Sequence, residues 1–368
     1  MVKPARLYLD IHVLQTVPPS CVNRDDTGSP KTAVYGGANR ARVSSQSWKK
    51  AVRNMFQEEI DEGLLALRTK RIVSVVAEEL VKAGYSDDAL GAAQCILEAA
   101  GLKIRSVEKG TDALFFISRA QAKALAALVT LYPDVASKKP SVEAKKQAKA
   151  ALQEHPGLEV ALFGRMVADD PSLNTDACAQ VAHAISTHKV STEYDYFTAV
   201  DDLAPEDNAG AGHLGTVEFN SSTLYRYATV AVHSLYEHLA EDTAKALSWF
   251  VEAFIKSMPT GRQNTFAHRT LPDVVLIAVR DDQPVNLVGA FEKPVTAGRD
   301  QAQGYVEASA SALVRHAQRL NSEWLREPLF TLAIGDLLKD LTQPTTLKLG
   351  LEELEKNLAT LLADGGTV

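Results

Sequence analysis

TGSPKTAVYGGANRARVSSQSWKKAVRNMFQ, residues 27–57, carries six basic residues and no acidic one. The six are Lys31, Arg40, Arg42, Lys49, Lys50 and Arg53, set among Gly36-Gly37 and the run Ser44-Ser45-Gln46-Ser47. The chain as a whole is acidic, with a formal net charge of −7, so this is a local electropositive strip. Small polar residues let phosphate oxygens approach backbone N–H groups, and the charge attracts a polyanion. Ser44 or Ser45 suits the N-cap of a helix running through Met55. In that helix Trp48, Val52, Met55 and Phe56 form one apolar stripe, while Lys49, Lys50 and Arg53 share the adjoining polar face. The helix start adds its positive dipole end. The strip therefore reads as a binder of nucleic-acid backbone. The plainer reading is a solvated amphipathic helix, and charge pattern alone does not separate the two.

Upstream, Arg6 to Gln15 alternates as a strand, with Leu7, Leu9, Ile11 and Val13 on one face and Tyr8, Asp10 and His12 on the other. Pro18-Pro19 then opens a long loop to about Val43, and loops of that length are usually functional. Downstream, Asp61 to about Met166 is Ala-rich with helical periodicity, an inserted helical unit. Within it Lys138, Lys139, Lys145, Lys146 and Lys149 face only Glu143, with Ala144, Ala148 and Ala151 on the opposite side. From Val190 to Val232 two arms rich in Val, Thr, Tyr and Phe flank Ala204–Leu214, an extended hairpin with a soft tip. Its second arm leads into a helix over Ser234–Ser257. After the loop Gly261–Thr270 come a buried strand, Asp273–Arg280, and helices at Gln303–Arg326 and Leu349–Ala363. The fold class is α+β, and a split βαββαβ core with insertions generates this order. No RNP-type aromatic octapeptide is present, so a standard RNA-recognition sheet surface is not implied.

At 368 residues, 46% hydrophobic and 23% charged, the chain is an ordered globular protein of two or three units. No membrane-length apolar run and no secretory signal is evident, and the three scattered cysteines (Cys21, Cys95, Cys178) suit a reduced cytoplasm. Zinc spacing, GxxxxGK[ST], GxGxxG and a Ser/His/Asp order are lacking, and His183 and His188 are five apart, poor spacing for one helical face. No cofactor, metal or membrane is expected. Asp25-Asp26 merits an enzymatic hearing, although adjacent carboxylates more often cap a loop or pair with cations.

Motifs in order along most of the chain resemble the CasC-type backbone subunit of type I-E Cascade, the CRISPR surveillance complex. They are IHVL (Ile11–Leu14), CVNRDD (Cys21–Asp26), YGGANRARVSSQSWKKAVR (Tyr35–Arg53), ALFGRM (Ala161–Met166) and AHAISTHKV (Ala182–Val190). DYFTAVDDL (Asp195–Leu203), GHLGTVEFNSSTLYRYA (Gly212–Ala228) and AFEKPV (Ala290–Val295) continue the series. The resemblance implies a modified RRM-like (ferredoxin-like) palm, residues 1–60 and 180–368, with inserted helical fingers over 61–175. A β-hairpin thumb over 188–226 completes the hand.

It also implies that copies of the chain stack along one CRISPR RNA beside other Cascade subunits, while base pairing reads the target DNA. Contacts to guide phosphates and riboses are then implied for Asn23, Arg24, Lys31, Ser44, Ser45, Gln46, Lys49, Lys50 and Arg53, and Arg40 and Arg42 are counted with them. Phe197 and Thr198 on the thumb, with Arg165 and Met166 in a turn, would pinch the guide and displace a nucleotide. Met166 and Phe197 are otherwise ordinary core residues, the commoner use of both. The Lys138–Lys149 cluster would touch target DNA, or else is an exposed helix kept soluble by lysine. Type III relatives cleave RNA with an aspartate and a divalent metal, which makes a ribonuclease using Asp26 the alternative to a non-enzymatic scaffold.

Overall fold

The computed structural model describes residues 6–136, 139–167, 170–199, 213–297 and 304–363. The chain begins with β1 (Tyr8–Ser20), β2 (Thr32–Tyr35), β3 (Ala38–Val43) and α1 (Ser45–Glu59). Then come β4 (Ala66–Thr69), α2 (Ile72–Lys82), α3 (Ala89–Ala99), β5 (Ile104–Ser106), β6 (Gly110–Thr111) and β7 (Phe115–Ser118). Helices α4 (Arg119–Leu131), α5 (Val142–Gln153) and α6 (Leu158–Phe163) lead to β8 (Ala179–Val181), β9 (Ala184–Ser186), β10 (Glu193–Ala199) and β11 (His213–Ala231). The last part holds α7 (Val232–Leu239), α8 (Thr243–Lys256), α9 (Gln263–Phe266), β12 (Val274–Arg280), α10 (Tyr305–Glu323), β13 (Phe330–Ile334) and α11 (Leu347–Ala363). Two units result: Met1–Val52 with Val181–Thr229 and Leu247–Val368, and Arg53–Gln180 with Val230–Ala246.

The first unit is built on a sheet of order β13-β12-β1-β11-β9-β3-β2, with antiparallel pairing in β1/β12, β12/β13, β11/β9, β9/β3 and β3/β2. The mixed α+β class and the antiparallel sheet agree with the sequence. Leu7 is buried just before β1, and from Leu9 to Gln15 both faces of the strand are buried, Leu9, Ile11 and Val13 on one and Asp10 and His12 on the other. Buried polar groups need partners. Tyr227 donates its hydroxyl to Asp10 Oδ1 (2.8 Å), the Val285 N–H donates to Asp10 Oδ2 (2.9 Å), and His12 Nδ1 pairs with the Tyr225 hydroxyl (2.9 Å). Burial pushes the Asp10 carboxyl up to about 6 and the His12 imidazole down to about 3. Tyr225, Tyr227 and Leu276 pack in one cluster with Ala310, Leu313, Val314 and Ala317 of α10. That sheet face is therefore closed to nucleobases.

The structure corrects four expectations. Pro18 and Pro19 do not end β1; they lie past its last pairing with β12, Leu14↔Val274, where a missing N–H costs no bond to that neighbour. The expected loop to Val43 contains the β2–β3 hairpin, closed at Tyr35↔Ala38 by Gly36 and Gly37 at φ 57° and 72°. Two positive φ values in a two-residue turn require such residues. A Cβ on Gly36 would also lie 1.6 Å from the Glu292 carbonyl oxygen. The helix expected over Ser234–Ser257 is interrupted at Ala240, φ 46°. Finally, β13, absent from the sequence reading, extends the sheet beside β12.

The second unit has its own core, drawn from Ile72 to Leu173 and including Ile72, Val76, Ala93, Ile96, Leu125, Ala148 and Leu152. Beside the helices read from its periodicity it holds two short strand pairs that the sequence did not signal, β4 with β7 and β5 with β6. Ser118 ends β7 and opens α4 through a capping box with Gln121.

Candidate nucleic-acid interface

The apolar stripe of α1 is buried: Trp48, Val52, Met55 and Phe56 are all under a tenth exposed. Beneath it the Arg226 guanidinium lies 3.7 Å from the Trp48 ring centroid and donates to Gln15 Oε1 and the Phe254 carbonyl. Arg226 is itself buried, which pulls its pKa down to about 9. This knot fixes the rotation of α1, leaving Gln46 and Lys50 exposed and Lys49 and Ser45 half-buried. Partial burial lowers the Lys49 pKa.

Asn23 ties the preceding loop to the helix start. Its Oδ1 accepts the Ser44 N–H (2.9 Å) and its carbonyl accepts the Lys31 N–H (2.8 Å), while the Lys31 carbonyl accepts the Arg42 N–H (2.9 Å). Asn23, Lys31, Arg42 and buried Ser44 are thus held together, with Arg24 exposed beside them. Arg42 donates Nε–H to the Thr32 carbonyl (3.0 Å) and Nη1–H to His183 Nδ1 (3.1 Å). Burial, then Arg42 and Lys31, hold the His183 pKa below its ordinary value. Such an arrangement offers cations and a helix start to a phosphodiester backbone.

Two strip arginines are engaged elsewhere. Arg40 is completely buried, and its guanidinium donates to the carbonyls of Ser186 (2.8 Å), Thr187 (2.8 Å), Phe291 (2.9 Å) and Glu292 (3.3 Å). Arg53 belongs to the second unit, where its Nε lies 3.9 Å from Oε1 of buried Glu159. Desolvation raises the Glu159 pKa and lowers that of Arg53.

Also in the second unit, Arg165 is buried and donates to the carbonyls of Leu173 (3.1 Å), Phe116 (3.2 Å) and Leu152 (2.7 Å), its pKa lowered to about 10 by desolvation. It anchors a turn in which Arg165 and Thr175 exchange backbone bonds of 2.9 Å and Asn174 Oδ1 accepts the Val167 N–H (2.6 Å). Met166, between these anchors, is 84% exposed, against the core reading. In α5 the alanine face Ala144, Ala148 and Ala151 is buried as the pattern implied. Lys139, Lys145 and Lys146 are exposed, Lys149 bonds Asp170 (2.7 Å), and Lys138 lies outside the described residues.

β10 pairs antiparallel with β11 from Glu193↔Phe219 to Ala199↔His213. Residues 200–212, most of the expected tip, lie outside the described residues. All seven residues of β10 are exposed, including Phe197 and Thr198, which again departs from a core role for Phe197. The Phe197 ring covers Gly215 opposite it, where a Cβ would sit 2.3 Å from the ring edge.

Asp25 caps its own loop: Oδ1 accepts from the Thr27 N–H (3.0 Å), the Thr27 hydroxyl (2.7 Å) and the Ser29 N–H (3.0 Å). The Thr27 hydroxyl is the chief cause of its lowered pKa. Asp26 is exposed, and among the described residues no three His, Cys, Asp or Glu side chains converge to hold a metal. Among the same residues, no helix is long and apolar enough to cross a membrane.

The sequence reading passed over two arginines. Arg262 adopts φ 49° next to Gly261, which packs against the Val22 carbonyl, and together with Arg24 it opposes the burial that raises the Cys21 thiol. Arg68 stands exposed over the Phe116 ring, 5.5 Å from its centroid. The alternation Leu67-Arg68-Thr69 opposite Phe115-Phe116-Ile117 was the available signal, a strand pair inside an Ala-rich stretch.

The chain is similar to one in a solved "CRISPR RNA-guided surveillance complex, pre-nicking", with 34% identity, a TM-score of 0.81, and coverage of 95% of this chain and 100% of that one. A second chain, from a "CRISPR RNA-guided surveillance complex", is 29% identical at a TM-score of 0.62, covering 95% and 99% respectively. Comparison with curated proteins gives no match. The family model described as CT1975-like protein matches residues 9–362, and the chain belongs to that family.

Proposed function

We propose that this chain is a non-catalytic RNA-binding scaffold that oligomerises along CRISPR guide RNA. In this reading it forms the backbone of a type I-E, Cascade-like surveillance complex and presents the guide for pairing with target DNA. The observation that carries the reading is the basic strip at the start of α1, where Arg24, Lys31 and Arg42 precede a helix start tied down by Asn23 and Lys50 is exposed in the first turns of the helix. Similarity to chains of surveillance complexes over 95% of the length supports it. The strand order β12-β1-β11-β9, with α1 between β1 and β9 in sequence and α8 between β11 and β12, supports an RRM-like (ferredoxin-like) palm. The second unit corresponds to fingers, with Lys139, Lys145 and Lys146 offered to target DNA, and β10–β11 to a thumb carrying Phe197 and Thr198.

The test is a filter-binding titration of guide-length RNA across a salt series. Replacing Lys49 and Lys50 together by Ala should weaken binding without sequence preference and flatten the salt slope by up to about 1.4, roughly 0.7 for each lost phosphate contact on a single strand. Unchanged affinity and slope would remove the reading. The same incubations with Mg²⁺ should return RNA of full length; cleavage abolished by Asp26→Asn would instead favour the ribonuclease.

A further inference from the structure

Helix α10 does not cover its sheet face evenly. Within the first unit a half-open cavity of about 350 Å³ remains among β1, β12, β13 and α10, bordered by His12, Leu276, Ala278, Arg280, Leu287 and Ala317. Close-packed interiors rarely keep such space, and here alanines on both walls, Ala278 of β12 and Ala317 of α10, leave it. The border that meets solvent is made by Gln318, Glu327 and Asp340.

Two buried polar side chains line the cavity, His12 at 3% and Arg280 at 6% exposure. The Tyr225 hydroxyl donates to Asn286 Oδ1 (3.1 Å), an oxygen that also accepts the Val288 N–H (3.0 Å), so its one hydrogen is used. His12 Nδ1, 2.9 Å from the same hydroxyl, is thereby assigned the imidazole hydrogen. Nε2 is left a bare acceptor with no hydrogen-bond partner among the described residues, and burial keeps the ring neutral. Arg280 is already compensated: it donates to the Arg326 carbonyl (2.9 Å) and Asn321 Oδ1 (2.6 Å), with the Asp282 carboxylate 3.7 Å away. An anion would therefore find no spare cation and would have to pass Glu327 and Asp340. The lining selects a neutral molecule instead, with an apolar body for the aliphatic walls, a donor for Nε2 and a π face for the guanidinium.

We propose that this cavity binds a small neutral aromatic molecule with a single N–H or O–H donor, of the indole or phenol kind, its donor on His12 Nε2 and its ring between Ala278 and Ala317. The site does not depend on the guide-binding reading, and its ligand is not a nucleic acid.

The full chain is titrated with indole, and in a parallel series with phenol, observed by saturation-transfer NMR. The expected result is saturable binding of indole with a Kd below about 1 mM, and binding of N-methylindole, which lacks the donor, about fivefold weaker or worse. His12→Phe leaves the Tyr225 hydroxyl its bonds to Asn286 and Leu287 and should bind the two indoles equally. Ala317→Leu should abolish binding of both while the urea midpoint holds or rises, because the larger side chain fills empty space. No saturable binding of indole, equal affinity of the unmodified protein for indole and N-methylindole, or binding that survives Ala317→Leu overturns the site. A lower urea midpoint in Ala317→Leu overturns it as well, since the space was then not there to fill. Trp324 is 77% exposed, and self-association lost in both Ala317→Leu and Trp324→Ala would give the cavity to the tryptophan of a second copy, which likewise overturns the free ligand.

Discussion

The guanidinium of Arg40 donates to four backbone carbonyls, those of Ser186, Thr187, Phe291 and Glu292. All four acceptors lie in segments that no local pattern around residue 40 could connect to it. Charge was legible in the sequence; direction was not, because direction depends on which carbonyls the fold leaves unpaired. Arg165 repeats the lesson in the second unit, and its exposed neighbour Met166 inverts it: an apolar residue pushed outward by the same anchored turn. Arg40→Met should therefore destabilise the protein by about 3 kcal/mol, since several buried acceptors lose their donor. Lys50→Ala, at an exposed position, should stay within about 0.5 kcal/mol of the parent. Urea denaturation of both variants checks this, and similar midpoints for the two would contradict the division of the strip into a structural and a surface part.

At the scale of elements, long segments with clean periodicity were readable: α1 from its Trp48-to-Phe56 stripe, β12 from its apolar run, α10 and α11 from their spacing. Short paired strands were not. β2–β3 carried a Gly-Gly turn signal, while β4 and β7 are four residues each and sit among strong helix formers. Nor did alternation in β1 foretell that its polar face would be buried with Asp10 and His12 in one hydrogen-bonded patch. That patch has a pH signature. His12, with its pKa lowered to about 3, binds a proton in the unfolded chain before it does in the folded one, so its contribution falls as pH drops through the usual histidine range. Asp10, raised to about 6, is protonated first in the folded chain, so its contribution rises over much of the same interval. The two oppose each other. Asp10→Asn removes the compensating half and should make stability decline more steeply between about pH 6 and pH 4. Parallel urea midpoints for variant and parent across that range would refute this pairing.

For the molecule as a whole, the two units differ in how their chain is spent. The helical core is assembled from Ile72 to Leu173, but the central strand of the first unit closes on partners far downstream, as in the Val285 N–H bond to Asp10 across 275 positions. Non-local pairing slows folding. Pulsed hydrogen exchange during refolding should protect amides of α2, α3 and α4 before those of β1 and β12, by about a factor of ten or more in rate. Simultaneous protection would show that the units fold as one. The same closure has a consequence at the ribosome. β1 is synthesised long before β12 and cannot be flanked on that side until residue 280 has emerged, so each nascent chain carries an apolar, unpaired strand edge over the whole interval between them. Copies translated side by side from one message would offer one another that same edge. A chain proposed to associate with itself in an ordered way on RNA must first avoid doing so in a disordered way during its own synthesis.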